Sequence, residues 1–148
     1  MARNDFKKHV SQFSEEEVTT LSVMQSQIDK FHFCSHAQER SKKRGIFNLF
    51  NHKDIEETIK EGKIVEFIHK DYKVKNKHIE DNRILVRSKF AKNEQELVIS
   101  VTLGSGKINT IYLNHQKHLH NKTPKWEQYK EDADILEVVG GNSNGFNR

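Results

Sequence analysis

The residues best suited to chemistry lie at positions 33–45, in the run FCSHAQERSKKRG. If this run is helical, His36, Arg40 and Arg44 are spaced four residues apart and project from one slowly drifting face about 12 Å long. An imidazole can take or give a proton near neutral pH, and guanidinium groups bind phosphate through paired hydrogen bonds. The spacing therefore predicts a face that handles phosphodiesters. The alternative is a solvated basic face, because Lys42, Lys43 and Arg44 would also complement the negative end of the helix dipole.

Composition limits the class of protein. The chain has 148 residues, of which 34% are apolar and 31% charged, so we expect one domain with a small core. Its net charge of +4 makes nucleic acid the leading partner class, although a basic balance is also typical of an ordinary solvated surface. Cys34 is the only cysteine, which excludes an intrachain disulfide and favours a reducing compartment. No run resembles a signal peptide or a membrane span, so a cytoplasmic protein without a membrane partner is predicted.

Helix signals precede the strand signals. Ser14 and Glu17 form a capping box for a helix within residues 1–30. Within residues 33–45, Ser35 is placed to cap a helix that Gly45 would end after Arg44. A further helix should run from about residue 53 to residue 61 and stop at Gly62. Three helices are therefore expected before residue 63.

From Lys63 onward, four apolar runs alternate with three polar breaks, NKHIEDN, NEQ and GSG. This pattern predicts an antiparallel meander. The fold class is therefore α+β, with N-terminal helices packed on a four-stranded antiparallel sheet. We divide the chain into a helical extension at 1–30, an α+β domain at 31–113 and a polar, His-rich extension at 114–148.

The last predicted strand offers a second wall for the candidate face. Thr110 and Tyr112 are two residues apart and point to one side of the strand, opposite Ile111 and Leu113. If the two aliphatic residues face the core, Thr110 and Tyr112 face a cleft. Ordinary strand composition is the alternative explanation of this pair.

Three histidines follow that strand, at positions 115, 118 and 120. Their spacing raises the possibility of a metal site. No carboxylate or cysteine lies at a matching spacing, so a patch that is solvated or faces phosphate is preferred. We expect no metal and no cofactor.

The order of elements and two short motifs resemble the domain-of-unknown-function family 4258. The resemblance covers residues 33–113. Its opening motif, HA-x-x-R-x-x-x-R-G-I, is present as His36, Ala37, Arg40, Arg44, Gly45 and Ile46, and its T-x-Y strand as Thr110 and Tyr112. That family is similar in layout to the superfamily of RelE, barnase, EndoU and colicin D ribonucleases, known as the BECR fold.

The resemblance implies a cleft that binds or cleaves RNA, in a toxin-like ribonuclease or one from a phage or other mobile element, with an inhibitor protein as a further partner. Cleavage would be metal-independent and would use attack by the ribose 2′-hydroxyl. The expected catalytic residues are His36, Arg40, Thr110 and His118, and the expected substrate-binding residues are Lys43, Arg44, Tyr112 and His115. This set lacks an obvious second proton-transfer group, and His115 or His118 is a better candidate for that role than Tyr112.

A non-catalytic protein is the alternative function. The same basic face could bind nucleic acid or a host protein in a phage or prophage accessory factor. Cleavage of RNA by the purified chain would separate the two functions.

Overall fold

The computed structural model describes residues 5–118, 129–130 and 132–140. Within them the chain forms six strands and four helices. In chain order these are β1 (Phe6–His9), α1 (Glu15–Ser26), β2 (His32–Phe33), α2 (Ser35–Lys43), α3 (His52–Glu61), β3 (Lys63–Val74), β4 (Lys77–Arg87), β5 (Gln95–Thr102), β6 (Lys107–His115) and α4 (Ile135–Gly140). None of these helices is long and apolar enough to cross a membrane.

All six strands belong to one sheet, in the order β1-β3-β4-β5-β6-β2. The predicted α+β class is confirmed, and the four predicted strands are β3 to β6, which are antiparallel. The prediction of a four-stranded, purely antiparallel sheet is wrong, because β1 adds to one edge and β2 pairs with β6 in parallel at the other. Both added strands are too short to carry a periodic signal, and β1 reads FKKH.

The first hairpin is longer than predicted. Residues 77–82, which the sequence assigned to a polar turn, lie in β4. The turn consists of Lys75 and Asn76, both with positive φ, at 50° and 70°. Positive φ at both central residues is typical of the two-residue hairpin turn that matches strand twist. The polar residues are tolerated because this end of the hairpin is largely exposed.

The core lies between the helices and one face of the sheet. Cross-strand pairing aligns Val86, Ile99 and Ile111 in one row across β4, β5 and β6, and Ile84, Val101 and Ile108 in the next. All six side chains have zero exposure, so this face is fully covered. The opposite face, called the outer face below, carries Glu66, Leu85, Ser100 and Thr110 in one row and Arg87, Val98 and Tyr112 in the neighbouring row.

Two helices begin with a reciprocal capping box, and the box of α1 is the one that the sequence predicts. The Ser14 hydroxyl accepts from the Glu17 N–H, and the Glu17 carboxylate accepts from the Ser14 N–H. Asn51 and Asp54 form the same reciprocal pair at α3. Such boxes involve residues three apart, so their geometry depends mainly on local sequence.

Residues at both ends of the described chain contribute to the same core. Leu21 and Ile28 precede residue 31, and Ile135 and Val139 follow residue 113, yet all four belong to the buried cluster. The helical segment before residue 31 therefore packs on the domain.

Gly106 allows β2 and the β5–β6 turn to approach each other closely. Its φ is +74°, and a Cβ at this position would lie 1.9 Å from the Lys30 carbonyl oxygen. The Gly106 carbonyl accepts from the His32 N–H at 3.1 Å. This contact sets where the chain enters α2.

We expect Gly106→Ala to destabilise the protein by about 1–3 kcal/mol more than Gly104→Ala. Both glycines have positive φ, but nothing lies within 4 Å of a Cβ at Gly104. Conformational strain is therefore common to both substitutions, and only Gly106→Ala adds the steric clash. Urea unfolding of the two variants measures the difference, and equal losses would contradict it.

Candidate nucleic-acid interface

The helix that carries the predicted site is attached directly to β6. The N-cap is Cys34, whose Sγ accepts from the Ala37 N–H at 3.4 Å. The prediction that Ser35 caps this helix is wrong by one residue. The Cys34 N–H also donates to the Ile108 carbonyl at 3.1 Å, so the first turn of α2 lies beside the start of β6.

The predicted face of α2 is exposed. Ala37 and Ser41 are the buried residues of the helix, whereas His36 and Arg40 are exposed. Within the described residues, neither of these two side chains has a hydrogen bond or an ion pair. Lys43 pairs with Glu39 at 3.3 Å, but both side chains are about two-thirds exposed, so this pair contributes little to stability.

Arg44 connects the end of α2 to the sheet. Its Nη1 donates to the Ile111 carbonyl at 2.7 Å. β2 pairs only with Lys107 and Ile108, so Ile111 lies beyond the part of the β6 edge that β2 covers. The side chain is nevertheless exposed. The contact holds the guanidinium at the sheet edge and leaves its other N–H groups without a hydrogen bond to any described residue.

Tyr112 lies within the electrostatic reach of several charges. Burial raises the pKa of its phenol, and the Glu66 carboxylate raises it further, while Arg87 and Arg44 act in the opposite direction. Its net pKa is above the ordinary value, so the phenol stays protonated at neutral pH and can donate a hydrogen bond. Thr110, which is exposed, lies on the same outer face.

Arg87 organises the other end of β6. It is 6% exposed and forms an ion pair with Glu96. Its two terminal nitrogens donate to the carbonyls of His115, at 2.8 Å, and of His118. The buried guanidinium therefore anchors the turn that follows the sheet.

The two histidines of this turn differ in their contacts. His115 Nδ1 accepts from the Lys117 N–H at 3.1 Å, and its Nε2 lies 3.8 Å from the Glu94 carboxylate. Because the accepting nitrogen carries no proton, Nε2 is the protonated nitrogen of the neutral ring. The side chain of His118 is exposed, and its backbone N–H donates to the His115 carbonyl at 2.8 Å. His120 lies outside the described residues.

The structure brings together only part of the predicted set. Arg44 and Tyr112 are close enough to interact, as are Tyr112 and Arg87. Cys34, two residues before His36, is hydrogen-bonded to Ile108 near the start of β6, whereas His115 is the last residue of that strand. At about 3.3 Å per residue, Ile108 and His115 are roughly 23 Å apart along the strand. The 115–118 turn therefore lies at the opposite end of β6 from the start of α2.

Glu66 and Arg87 were missed by the sequence analysis. Glu66 is 3% exposed on the outer face, with Lys7 Nζ at 3.9 Å and the Tyr129 hydroxyl as a hydrogen-bond donor. Both residues are single charges within apolar strand runs, IVEFI and ILVRS. A lone charge in such a run predicts either a solvated face or a buried, paired charge, and this signal could have identified them.

Among the described residues, no three His, Cys, Asp or Glu side chains lie close enough together to hold a metal ion. His115 and His118 belong to that part of the chain.

No protein-family model, curated protein or solved structure matches this chain. The resemblance to family 4258 therefore stays a prediction that rests on the residues themselves.

Proposed function

We propose that the chain binds RNA along the surface formed by α2 and β6 and cleaves it by attack of the ribose 2′-hydroxyl on the adjacent phosphorus. The observation that carries the proposal is the arrangement of exposed groups on α2. His36 and Arg40 have no partner among the described residues, and Arg44 is held at the edge of β6 beside Tyr112. A helix face with an imidazole and two cations fits a phosphodiester.

Each residue has a distinct role in this proposal. Arg40 and Arg44 bind the phosphate and stabilise the negative charge that develops on it, with Lys43 adding a weaker attraction. His36 transfers the proton of the attacking hydroxyl or of the leaving oxygen. Tyr112, protonated at neutral pH, donates a hydrogen bond, and Thr110 contacts the ribose.

The histidines at the end of β6 would contact a different part of the RNA. His115 and His118 lie at the opposite end of β6 from Ile108, beside which α2 begins. The predicted catalytic role of His118 therefore requires RNA to draw the two ends of the site together. Contact with another phosphate, several nucleotides away along the RNA, needs no such movement, and we assign that role to both histidines.

An exposed aromatic ring supports a single-stranded substrate. Phe47 follows α2 closely and is 49% exposed, with Phe33 packed against it at a centroid distance of 5.8 Å. Aromatic rings beside cations provide stacking surfaces for unpaired bases. The family resemblance supports the same activity, in a toxin-like or mobile-element ribonuclease that an inhibitor protein would hold inactive.

A non-catalytic RNA-binding function is the second candidate, and one observation favours it. His115 and His118, which were predicted to supply the second proton-transfer group, lie at the opposite end of β6 from Ile108, beside which α2 begins. In this function the same surface binds phosphate without cleaving it, as in an accessory protein that acts on nucleic acid or a host protein.

One experiment tests both candidates. Purified protein is mixed with a short single-stranded RNA and with a copy that has a single 2′-deoxy nucleotide, both in the presence of a metal chelator. We expect binding to both, and cleavage with a 2′,3′-cyclic phosphate product at every position except the 2′-deoxy one. Binding without cleavage would favour the second candidate, and loss of both would overturn the proposal.

A further inference from the structure

A second surface lies on the helical side of the molecule. A cleft of about 480 Å³ opens between α1 and the junction of α3 with β3. This volume falls within the range of about 300–1,000 Å³ that is typical of ligand sites. Its apolar lining comes from Val10, Phe13, Val18, Leu21 and Ile64. We call this cleft the α1–α3 groove.

The groove leaves apolar surface exposed to water. Val10 is 39% exposed and Val18 is 44% exposed, and both line the groove. Gln25, the polar group at the base, already donates to the carbonyls of Ile59 and Gly62 at 3.0 and 2.9 Å. Because this amide is satisfied within the fold, an occupant would be held through apolar contact.

The rim of the groove is basic. Lys60, Lys63 and Lys89 line it, and within the described residues none of them forms an ion pair. Glu61 is the single acidic residue of the lining. The rim therefore carries a net charge of +2, from three lysines and one glutamate, and it complements a ligand with apolar and acidic groups.

We propose that the α1–α3 groove binds an acidic amphipathic helix of a partner protein. One apolar face of such a helix would cover Val10, Val18 and Phe13, and carboxylates on its flanks would reach the lysines of the rim. A nucleic acid fits this surface poorly, because its phosphates would find three separate lysines but no arginine and its bases would meet mainly aliphatic walls.

This site is separate from the RNA surface. The groove is lined by α1 and the segment before it, the end of α3, the start of β3 and Lys89 after β4, whereas the proposed RNA surface is formed by α2 and β6. Occupation of the groove therefore does not depend on the proposed ribonuclease activity.

The test uses two designed helical peptides with identical leucine positions, one with glutamate and the other with lysine at the polar positions. Methyl NMR of the full chain reports binding at Val10, Val18 and Leu21. We expect the acidic peptide to shift these resonances and the basic peptide to leave them unchanged at concentrations up to about 1 mM. Lauric acid is titrated in parallel, because an anionic amphiphile has the same chemistry.

Two pairs of variants provide the controls. Exchanging Lys60, Lys63 and Lys89 for glutamine should weaken binding about tenfold, while the same exchange at the exposed Lys53, Lys73 and Lys77 should change it less than about twofold. Val18→Ser should weaken binding more than Val23→Ser, because Val23 is 50% exposed on the same helix but lies outside the groove lining.

Three results would overturn the proposal. They are equal shifts by both peptides, no methyl shift by the acidic peptide, and equal effects of the two lysine triples. Shifts produced by lauric acid alone would assign the groove to small anionic amphiphiles instead of a protein helix.

Discussion

Replacing His36 by alanine is expected to lower the rate of RNA cleavage by about 10²–10⁴-fold, which is the range that general acid–base catalysis contributes. The side chain is exposed on the first turn of α2 and has no hydrogen bond to a described residue. The free energy of unfolding should therefore change by less than about 0.5 kcal/mol. Single-turnover cleavage of a labelled RNA measures the rate, and urea unfolding measures the stability.

His32→Ala is the matched control for this prediction. His32 is also an exposed histidine, and it lies in β2, three residues before α2 begins. Its removal should leave cleavage within about twofold of the parent rate, since such surface changes are usually mild. If His36→Ala cleaves RNA as fast as the parent chain, His36 has no catalytic role and α2 serves only to bind phosphate.

Glu17→Ala is expected to lower the free energy of unfolding by about 3–5 kcal/mol. Glu17 is 2% exposed, and both its oxygens accept from Lys8 Nζ at 2.9 Å. It also accepts from the backbone N–H groups of Ser14 and Ile135, at 2.8 and 2.9 Å. One carboxylate thus joins β1, the start of α1 and the start of α4, and its loss leaves the Lys8 ammonium buried without its partner.

The same carboxylate makes stability depend on pH in a defined direction. Burial alone would raise the pKa of Glu17, but the hydrogen bonds from Lys8, Ser14 and Ile135 outweigh it and hold the pKa below its usual value. As the pH falls, the unfolded chain therefore binds a proton at Glu17 before the folded chain does. The stability that Glu17 contributes is lost as pH falls below about 4.3. Above that pH the contribution is complete.

Two variants control the Glu17 prediction. Glu16→Ala removes an exposed carboxylate from the same helical turn and should cost less than about 0.5 kcal/mol. The double variant Lys8→Met with Glu17→Leu should recover part of the loss, because an apolar pair carries no unpaired buried charge. If Glu17→Ala and Glu16→Ala unfold at the same urea concentration, the buried contact contributes nothing measurable.

Local sequence was sufficient for the helix signals of α1 and α3. Ser14 with Glu17, and Asn51 with Asp54, make their reciprocal bonds across three residues, so few distant contacts are needed to form them. The N-cap of α2 was predicted one residue too late, at Ser35, because the sulfur of Cys34 is a weak hydrogen-bond acceptor and cysteine is not a typical capping residue. It holds this position because its own N–H is bound to β6.

The sheet edges could not be predicted in the same way. β1 and β2 have four and two residues, too few for an alternating pattern, and they exist because β3 and β6 offer unpaired edges. Arg87 and Glu66 were missed for a related reason. Whether a lone charge in a strand is solvated or buried depends on what covers that face of the sheet.

By itself, the sequence determined the α+β class, the α2 face of His36, Arg40 and Arg44, and the placement of Thr110 and Tyr112 on one side of β6. These features follow from the 3.6-residue and two-residue periods of helix and strand, which are properties of neighbouring residues. Only the tertiary structure decided that Arg44 meets β6 at Ile111 and that α2 begins beside Ile108, at the opposite end of that strand from His115 and His118. Such distances depend on how α2 packs along the sheet, and packing joins residues more than sixty positions apart, as Arg44 and Ile111 are with a separation of 67.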